Sequence, residues 1–225
     1  MNPLKITAFS DLHGQFPAGG GYESKLTIVN PCDILIFAGD FSWVSGYESC
    51  ILFMNWLKTL PATHKIVVPG NHDYDLEKIP VTDINTHILI HNEVEIEGIK
   101  FFGTPYTPLF CDWNYMLSEE ELKIKFDEIP SDTEILISHG PPAGILDKFA
   151  DSRIGSEALA KRIKEIDPSL VIFGHNHAMG FESKDGINYL NVSLLDHDYA
   201  KVNAPFEIEY FKEEEYCEVL GCQHR

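Results

Sequence analysis

Leu170-Val171-Ile172-Phe173-Gly174-His175-Asn176-His177 joins a run of bulky apolar residues directly to three side chains that carry nitrogen or oxygen donors. The run over Leu170–Gly174 is too short for a helix and rich in β-branched and aromatic residues, so it reads as a buried strand. The polar residues then fall on the loop leaving its C-terminal end. The same arrangement recurs along the chain. Ile6–Ser10 leads into Asp11-Leu12-His13, Ile34–Gly39 into Asp40, Ile66–Pro69 into Gly70-Asn71-His72-Asp73, and Glu134–Ser138 into His139-Gly140. In an open α/β sheet, ligands bind beyond the carboxyl ends of the strands. Five segments remote in sequence are therefore expected on one rim.

Helical patterns separate these strands. Tyr47–Leu60 places Ile51, Leu52, Met54 and Trp56 at helical spacing, and Pro61 stops it. Ser118 and Glu121 form a capping box that opens a helix ending near Pro130. Ser156 caps a third helix, running to about Ile166 before Pro168. His87–Ile90, Glu93–Ile96 and Lys100–Gly103 are expected to form an antiparallel meander with Glu97-Gly98 as a turn. Ile187–Val192 and Phe206–Phe211 read as further strands, and Gly19–Gly21 and Phe110–Met116 as surface loops. With no repeat, low-complexity segment or linker, residues 1–225 are expected to form one α/β domain.

The bulk composition narrows the partners. Of 225 residues, 44% are apolar and 12% aromatic, as in an ordinary globular chain with a sizeable core. Only 17 basic side chains face 35 acidic ones, a formal net charge of -18. Such a surface repels polyanions, which argues against duplex nucleic acid and acidic membranes. A small phosphorylated substrate stays admissible, because bound metal ions invert the local field. The start, Met1 to Gly14, has too short an apolar run for a signal peptide, and no stretch approaches the roughly 18 apolar residues of a membrane helix. Cys32, Cys50, Cys111, Cys217 and Cys222 are odd in number and lack paired spacing, as expected of reduced thiols. A cytoplasmic protein is expected.

The donors on the rim are carboxylates, an amide and imidazoles, without a thiolate. Mixed nitrogen and oxygen donors suit Mn, Fe, Zn, Co or Ni better than Ca or Cu(I). They are too many for one tetrahedral ion. Two ions sharing a bridging carboxylate, roughly 3.5–4 Å apart, would use them fully. Taken singly, each motif is more often a turn former or a helix cap. Their coincidence at every one of these strand ends is what argues for a metal site. By the same test, His64, His87, His91 and His224 have no partner donors nearby and read as surface or packing residues. Asn191, Ser193 and His197, just beyond the last strand pair, could contact a ligand, and of His197 a hydrogen-bonded structural role is expected first.

In this order, the motifs Asp11-Leu12-His13, Gly39-Asp40, Gly70-Asn71-His72-Asp73, His139 and Gly174-His175-Asn176-His177 resemble those of the calcineurin-like metallophosphoesterase superfamily. The resemblance runs from Ile6 to about Ser193. Gly39-Asp40 continues as Phe41-Ser42-Trp43, without the Asp-Arg-Gly of the protein-phosphatase branch, which weakens a phosphoprotein substrate. His139-Gly140-Pro141-Pro142, Gly155-Ser156 with Leu159, and Asn191 and Ser193 followed by Tyr199, Asn203 and Pro205 are similar to the small MPPED-like phosphodiesterase branch.

The resemblance implies an α/β/β/α two-sheet sandwich of the metallophosphoesterase type. It assigns Asp11, His13 and His177 to a first divalent metal and Asn71, His139 and His175 to a second, with Asp40 bridging. Mn is the foremost candidate, and Mg is admissible beside Fe, Zn, Co and Ni. His72 is left for the substrate. The expected reaction is hydrolysis of a small phosphodiester, with cyclic and other nucleotides among the candidates, by metal-activated hydroxide. His72 then protonates the leaving oxygen, an imidazole being suited to that by its pKa. Asp73 is expected either to hold the His72 tautomer or to fix the turn. The alternatives are a phosphomonoesterase and a non-catalytic binding module. Tyr22, Trp43, Tyr74, Tyr106 and Trp113 are loop aromatics that could stack on a base.

Overall fold

The computed structural model describes residues 3–17, 29–44, 46–81, 83–200, 203–212 and 216–220. The Gly19–Gly21 loop, Tyr22, Cys222 and His224 lie outside them. In chain order the elements are β1 (Leu4–Phe9), β2 (Cys32–Ala38), α1 (Tyr47–Lys58), β3 (Ala62–Val68), β4 (Thr86–Ile88), β5 (Asn92–Ile96), β6 (Ile99–Thr104), β7 (Thr107–Pro108) and β8 (Met116–Leu117). They continue as α2 (Glu119–Phe126), β9 (Ile135–Ser138), β10 (Lys148–Phe149), β11 (Ser152–Arg153), α3 (Glu157–Ile166), β12 (Leu170–Phe173), β13 (Gly180–Lys184), β14 (Ile187–Asn191), β15 (Phe206–Phe211) and β16 (Tyr216–Leu220).

Two six-stranded sheets result, ordered β16-β15-β1-β2-β3-β4 and β13-β14-β12-β9-β6-β5. In each, four parallel strands carry antiparallel additions: β15 and β16 beside β1, and β13 and β5 at the edges of the second sheet. The unbroken apolar runs follow from burial on both faces. Along β2, Ile34, Ile36 and Ala38 point between the sheets, while Leu35 and Phe37 pack against α1 through Phe53, Trp56 and Leu57. Along β12, Leu170 and Ile172 face the first sheet, and Val171 and Phe173 face α2 and α3. The layers are helix, sheet, sheet, helix, which is the sandwich expected. Burying a side chain such as Phe37 is worth about 1.5–3 kcal/mol.

The helix ends behave as their sequences predict. Ser118 Oγ accepts the Glu121 N–H while Glu121 accepts the Ser118 N–H, completing the capping box of α2. Ser156 Oγ accepts the Leu159 N–H at 3.1 Å and opens α3. The meander does not form as expected. β4 pairs in parallel with β3 in the first sheet, where Lys65 N–H donates to Asn85 O at 2.8 Å. The exposed edge of β3 captures this segment before the chain crosses to the second sheet. Only β5 and β6 form the hairpin, with Glu97 and Gly98 both at positive φ in the turn. The strands β13 and β16 have mixed polar sequences at sheet edges and carry no apolar run.

The two sheets are joined where β1 ends. Ser10 N–H donates to Val192 O at 3.0 Å, and Leu194 N–H donates to Ser10 O at 3.1 Å. The loops after β1 and β14 are thereby held side by side. Among the described residues no helix is long and apolar enough to cross a membrane.

Candidate metal centre

All five strand ends open onto one rim, and close approach of their loops requires special backbone. Asp11, His13, Asp40 and His175 have φ of 56°, 41°, 61° and 64°. These left-handed conformations cost non-glycine residues about 1–3 kcal/mol each and persist only where surroundings enforce them. Here the enforcement is a set of cross-loop hydrogen bonds. Asp11 N–H donates to Gly39 O and Leu12 N–H to Asp40 O, both at 2.8 Å. His72 N–H donates to Asp40 Oδ1 at 2.9 Å, and His175 N–H donates to Asp11 Oδ2 at 3.0 Å. Ser10 Oγ donates to the same Asp11 oxygen.

The seven expected metal ligands and His72 all converge. His13 Nε2 lies 3.2 Å from His177 Nε2, and His177 Nε2 lies 3.7 Å from Asp11 Oδ1. His139 Nε2 lies 3.0 Å from Asn71 Oδ1 and 3.3 Å from Asp40 Oδ2. The same Asp40 oxygen is 3.8 Å from His13 Nε2 and 3.9 Å from His72 Nε2. Three donor sets could each hold a cation: Asp11, His13 and His177; Asp40, His139 and His175; and His13, Asp40 and His72. Asp40 belongs to two of them and sits between the rest.

The chemistry of these contacts fits divalent cations. A carbonyl can only accept, so His139 Nδ1, 2.9 Å from Ala38 O, must carry a proton. Its Nε2 is then the nitrogen that faces the Asn71 amide oxygen and is left for a cation. Likewise His177 Nδ1 faces Asp196 O at 3.2 Å, which turns its Nε2 lone pair toward His13. Backbone carbonyls fixing the outer nitrogen are what orient imidazoles toward a metal. Charge completes the picture. Burial alone would lower the pKa of His139, but Asp40 beside it pushes it up to about 9. Burial would raise the Asp40 carboxyl, yet His139, His13 and His72 hold it below the usual range. Burial keeps His13 at about 4 and, with His139 adding repulsion, His175 at about 3, both neutral and ready to coordinate.

Asp73 does something other than orient His72. Its Oδ2 accepts the N–H groups of Asp40 and Gly70, while His72 Nδ1 faces the carbonyl oxygen of Trp43. Of the two roles expected for Asp73, the structure therefore places it in the turn-fixing one. The side chain is buried, and its hydrogen bonds go to these two amides.

Above the donors lies a cavity of about 530 Å³ whose upper walls are Phe110, Trp113, Phe149, Ile154, His197 and Tyr199. Of the loop aromatics, Trp113 lies on His72 with ring centroids 3.8 Å apart, and Trp43 packs on His13 at 4.7 Å. Tyr74 and Tyr106 point elsewhere: the Tyr74 hydroxyl accepts from Asn114 N–H, and Tyr106 packs on His91. In place of the structural role expected of it, His197 is exposed on the rim, its ring against Phe149 and His177. Phe110, Phe149 and Ile154 carry no sequence signal; only tertiary placement brings them here. Two asparagines make that placement. Asn114 Nδ2 donates to Asp73 O at 2.7 Å and ties the Phe110–Trp113 loop to the His72 loop. Asn176 Nδ2 donates to Leu146 O at 2.7 Å and Lys148 O at 3.2 Å, tying the β10–β11 hairpin to the histidine loop.

Fold and site together define a metal-dependent hydrolase built on an α/β/β/α sandwich. The profile of the calcineurin-like phosphoesterase family matches residues 4–179, and the chain belongs to that family. Membership implies a phosphoric ester hydrolase using divalent metal. A UPF0046 protein of Caenorhabditis elegans is 32% identical, the match covering 84% of this chain and 69% of the relative. Human metallophosphoesterase domain-containing protein 1 is 30% identical over 79% of this chain and 64% of its own length, in line with the MPPED-like resemblance. The chain thus spans about two thirds of these relatives. Among solved structures, the phosphopantetheinyl hydrolase of Mycobacterium tuberculosis shares the fold with a TM-score of 0.57 at 16% identity, covering 88% of this chain and 91% of that one.

Proposed function

We propose that this protein is a dinuclear-metal-dependent phosphodiesterase acting on a small, singly charged diester. The observation that carries the reading is the wall of the cavity. Among the described lining residues there is no Lys or Arg, and apolar rings from two separately anchored loops stand over the donors. Phe110 contacts His175 at 5.7 Å, whereas Phe149 contacts His197, itself beside His177. A diester brings one negative charge and two organic arms, which matches two apolar walls. A dianionic monoester brings more charge and one arm, and the walls offer it no fixed cation.

Asp11, His13 and His177 are assigned to one ion and Asn71, His139 and His175 to the other, with Asp40 shared. Manganese is the first choice from the mixed donors. The bound ions supply charge neutralisation at phosphorus and acidify water. His72 is assigned the leaving group. Its Nδ1–H is spent on the Trp43 carbonyl, so Nε2, on the cavity side near Asp40, is the atom that gives a proton. Asn114 and Trp113 hold that loop and ring in place.

The test is a panel of bis-p-nitrophenyl phosphate, cyclic nucleotides and p-nitrophenyl phosphate on Mn-loaded protein, compared by kcat/KM. A preference for diesters is expected. A large preference for the monoester would transfer the assignment to a phosphatase, and no turnover by fully metallated protein would favour a binding module.

A further inference from the structure

The hairpin β10–β11 does more than close the cavity. It projects Phe149, 49% exposed, over the rim, and side chains alternate along a strand, so Lys148 is turned to the other face. Lys148 is absent from the cavity lining, while Phe149 and Ile154 are part of it. The other nearby cation, Arg153, is paired with the buried Asp147 carboxylate, which also accepts the Gly144 N–H at 3.0 Å. The hairpin thus directs its apolar residues inward and its charges outward. A large ring left half exposed beside a polar floor is an uneconomical surface residue, but a suitable wall for a flat apolar group.

Its position is set from the donor loop itself. Asn176 lies between His175 and His177, and its amide donates to the carbonyls of Leu146 and Lys148 on the approach to Phe149. Asn191 in turn donates to Asn176 O at 2.6 Å. Asn176 therefore registers the phenyl ring against the two imidazoles. The ring touches His197 at 5.0 Å, on the side of His177, whereas His72 and Trp113 border the side of the leaving group.

We infer that Phe149, Ile154 and His197 form the subsite for the ester arm that stays with phosphorus, selecting a flat, uncharged, apolar group, with Asn176 as its positioning residue. The inference rests on the diesterase assignment for its role in turnover. Polyanionic substrates are disfavoured there, because a second phosphate on that arm would meet phenyl and sec-butyl surface, with no Lys or Arg among the described lining residues.

Two diesters that release the same p-nitrophenolate and differ only in the retained arm test this: phenyl p-nitrophenyl phosphate and methyl p-nitrophenyl phosphate. Mn-loaded wild-type protein is expected to favour the phenyl arm in kcat/KM by about tenfold, mainly through KM. In Phe149→Ala the ratio is expected to fall to within about twofold of unity, and Phe149→Leu should restore part of it. Asn176→Ala should reduce the same ratio, with metal content measured alongside. A second readout needs no turnover: binding of phenylphosphonate against methylphosphonate, followed by tryptophan fluorescence. If p-nitrophenyl phosphate alone is turned over, the diesterase assignment falls, and the phosphonate pair still decides the subsite. A wild-type preference that survives Phe149→Ala undiminished in both assays, or no wild-type preference in either, overturns the inference.

Discussion

Asp73 supports Asp40 from beneath: its Oδ2 accepts the Asp40 backbone N–H at 2.8 Å and the Gly70 N–H at 2.9 Å. The loop that carries Asp40, the proposed bridging residue, is thus fixed by a buried carboxylate. Asp73→Ala strands both amides in the interior, at about 1–3 kcal/mol each. Chemical denaturation should show a loss of roughly 2–6 kcal/mol, with metal stoichiometry reduced. Asp73→Asn keeps an acceptor oxygen and should retain most of the stability. Equal stability of the alanine variant and wild type would show that the two bonds do not carry the loop.

His72 lies within reach of both a catalytic and a ligand role, and one variant separates them. His72→Ala should cut turnover of bis-p-nitrophenyl phosphate by about 10²–10⁴-fold, the usual contribution of a proton-transfer group. Two Mn per chain should remain by elemental analysis. Loss of an ion would move His72 into the set it forms with His13 and Asp40.

Gly70 has no room for a side chain. A Cβ there would lie 2.2 Å from Asp40 Oδ1 and 2.6 Å from Asp40 N, and the second contact is backbone that cannot swing aside. Gly70→Ala should destabilise by about 1–3 kcal/mol and lower Mn affinity through the displaced Asp40. Thermal melts with and without chelator measure both. A melting temperature equal to wild type in both states would show that the two loops part without cost.

Acid should destabilise the metal-free protein. Burial depresses His13 to about 4 and, together with the His139 charge, His175 to about 3, against 6.5 in an unfolded chain. Depressed folded values mean their contribution is complete above 6.5 and falls as pH drops through 6.5 toward 4, where only the unfolded chain takes up the protons. Each group gives roughly 1.4 kcal/mol per pH unit in that window. His139, pushed up to about 9, has the opposite sign: it offsets part of the decline until the unfolded chain is also protonated, below about 6, and adds no slope after that. Denaturant titrations of chelated protein at pH 7, 5.5 and 4.5 should show the decline, and a flat profile would contradict the burial of these imidazoles.

The strand-end motifs were legible because each is local. An apolar run followed by a donor places that donor on the rim whatever the rest of the chain does, so Asp11, Asp40, His139 and His175 could be found from sequence. The sandwich followed from two-sided burial of the same runs. The role of Asp73 was not decidable locally, since its partner Asp40 lies 33 positions away. Nor were Phe110 and Phe149, which reach the cavity only through the Asn114 and Asn176 amides. His87 and Ile88 suited a strand, but which sheet would capture them depended on the open edge of β3. Of the edge strands, β13 is mostly polar and β16 is a short run interrupted by Glu218, so neither stands out.

The seam between Ser10 and Ser193 also bears on how the protein is made. His13 and His177 stand 164 positions apart, and β1 is flanked by β2 on one side and by β15, beginning at Phe206, on the other. A ribosome delivers Asp11, His13 and Asp40 long before their partners. Until the second sheet is synthesised and docks along that seam, the early donors His13, Asp40 and His72 stand alone, and both proposed ion sites lack the histidines that sheet supplies. Capture of the full pair of ions is consequently a late event that reports completed assembly, and uptake of a second Mn by a nascent chain would serve as a clock for the joining of the two sheets.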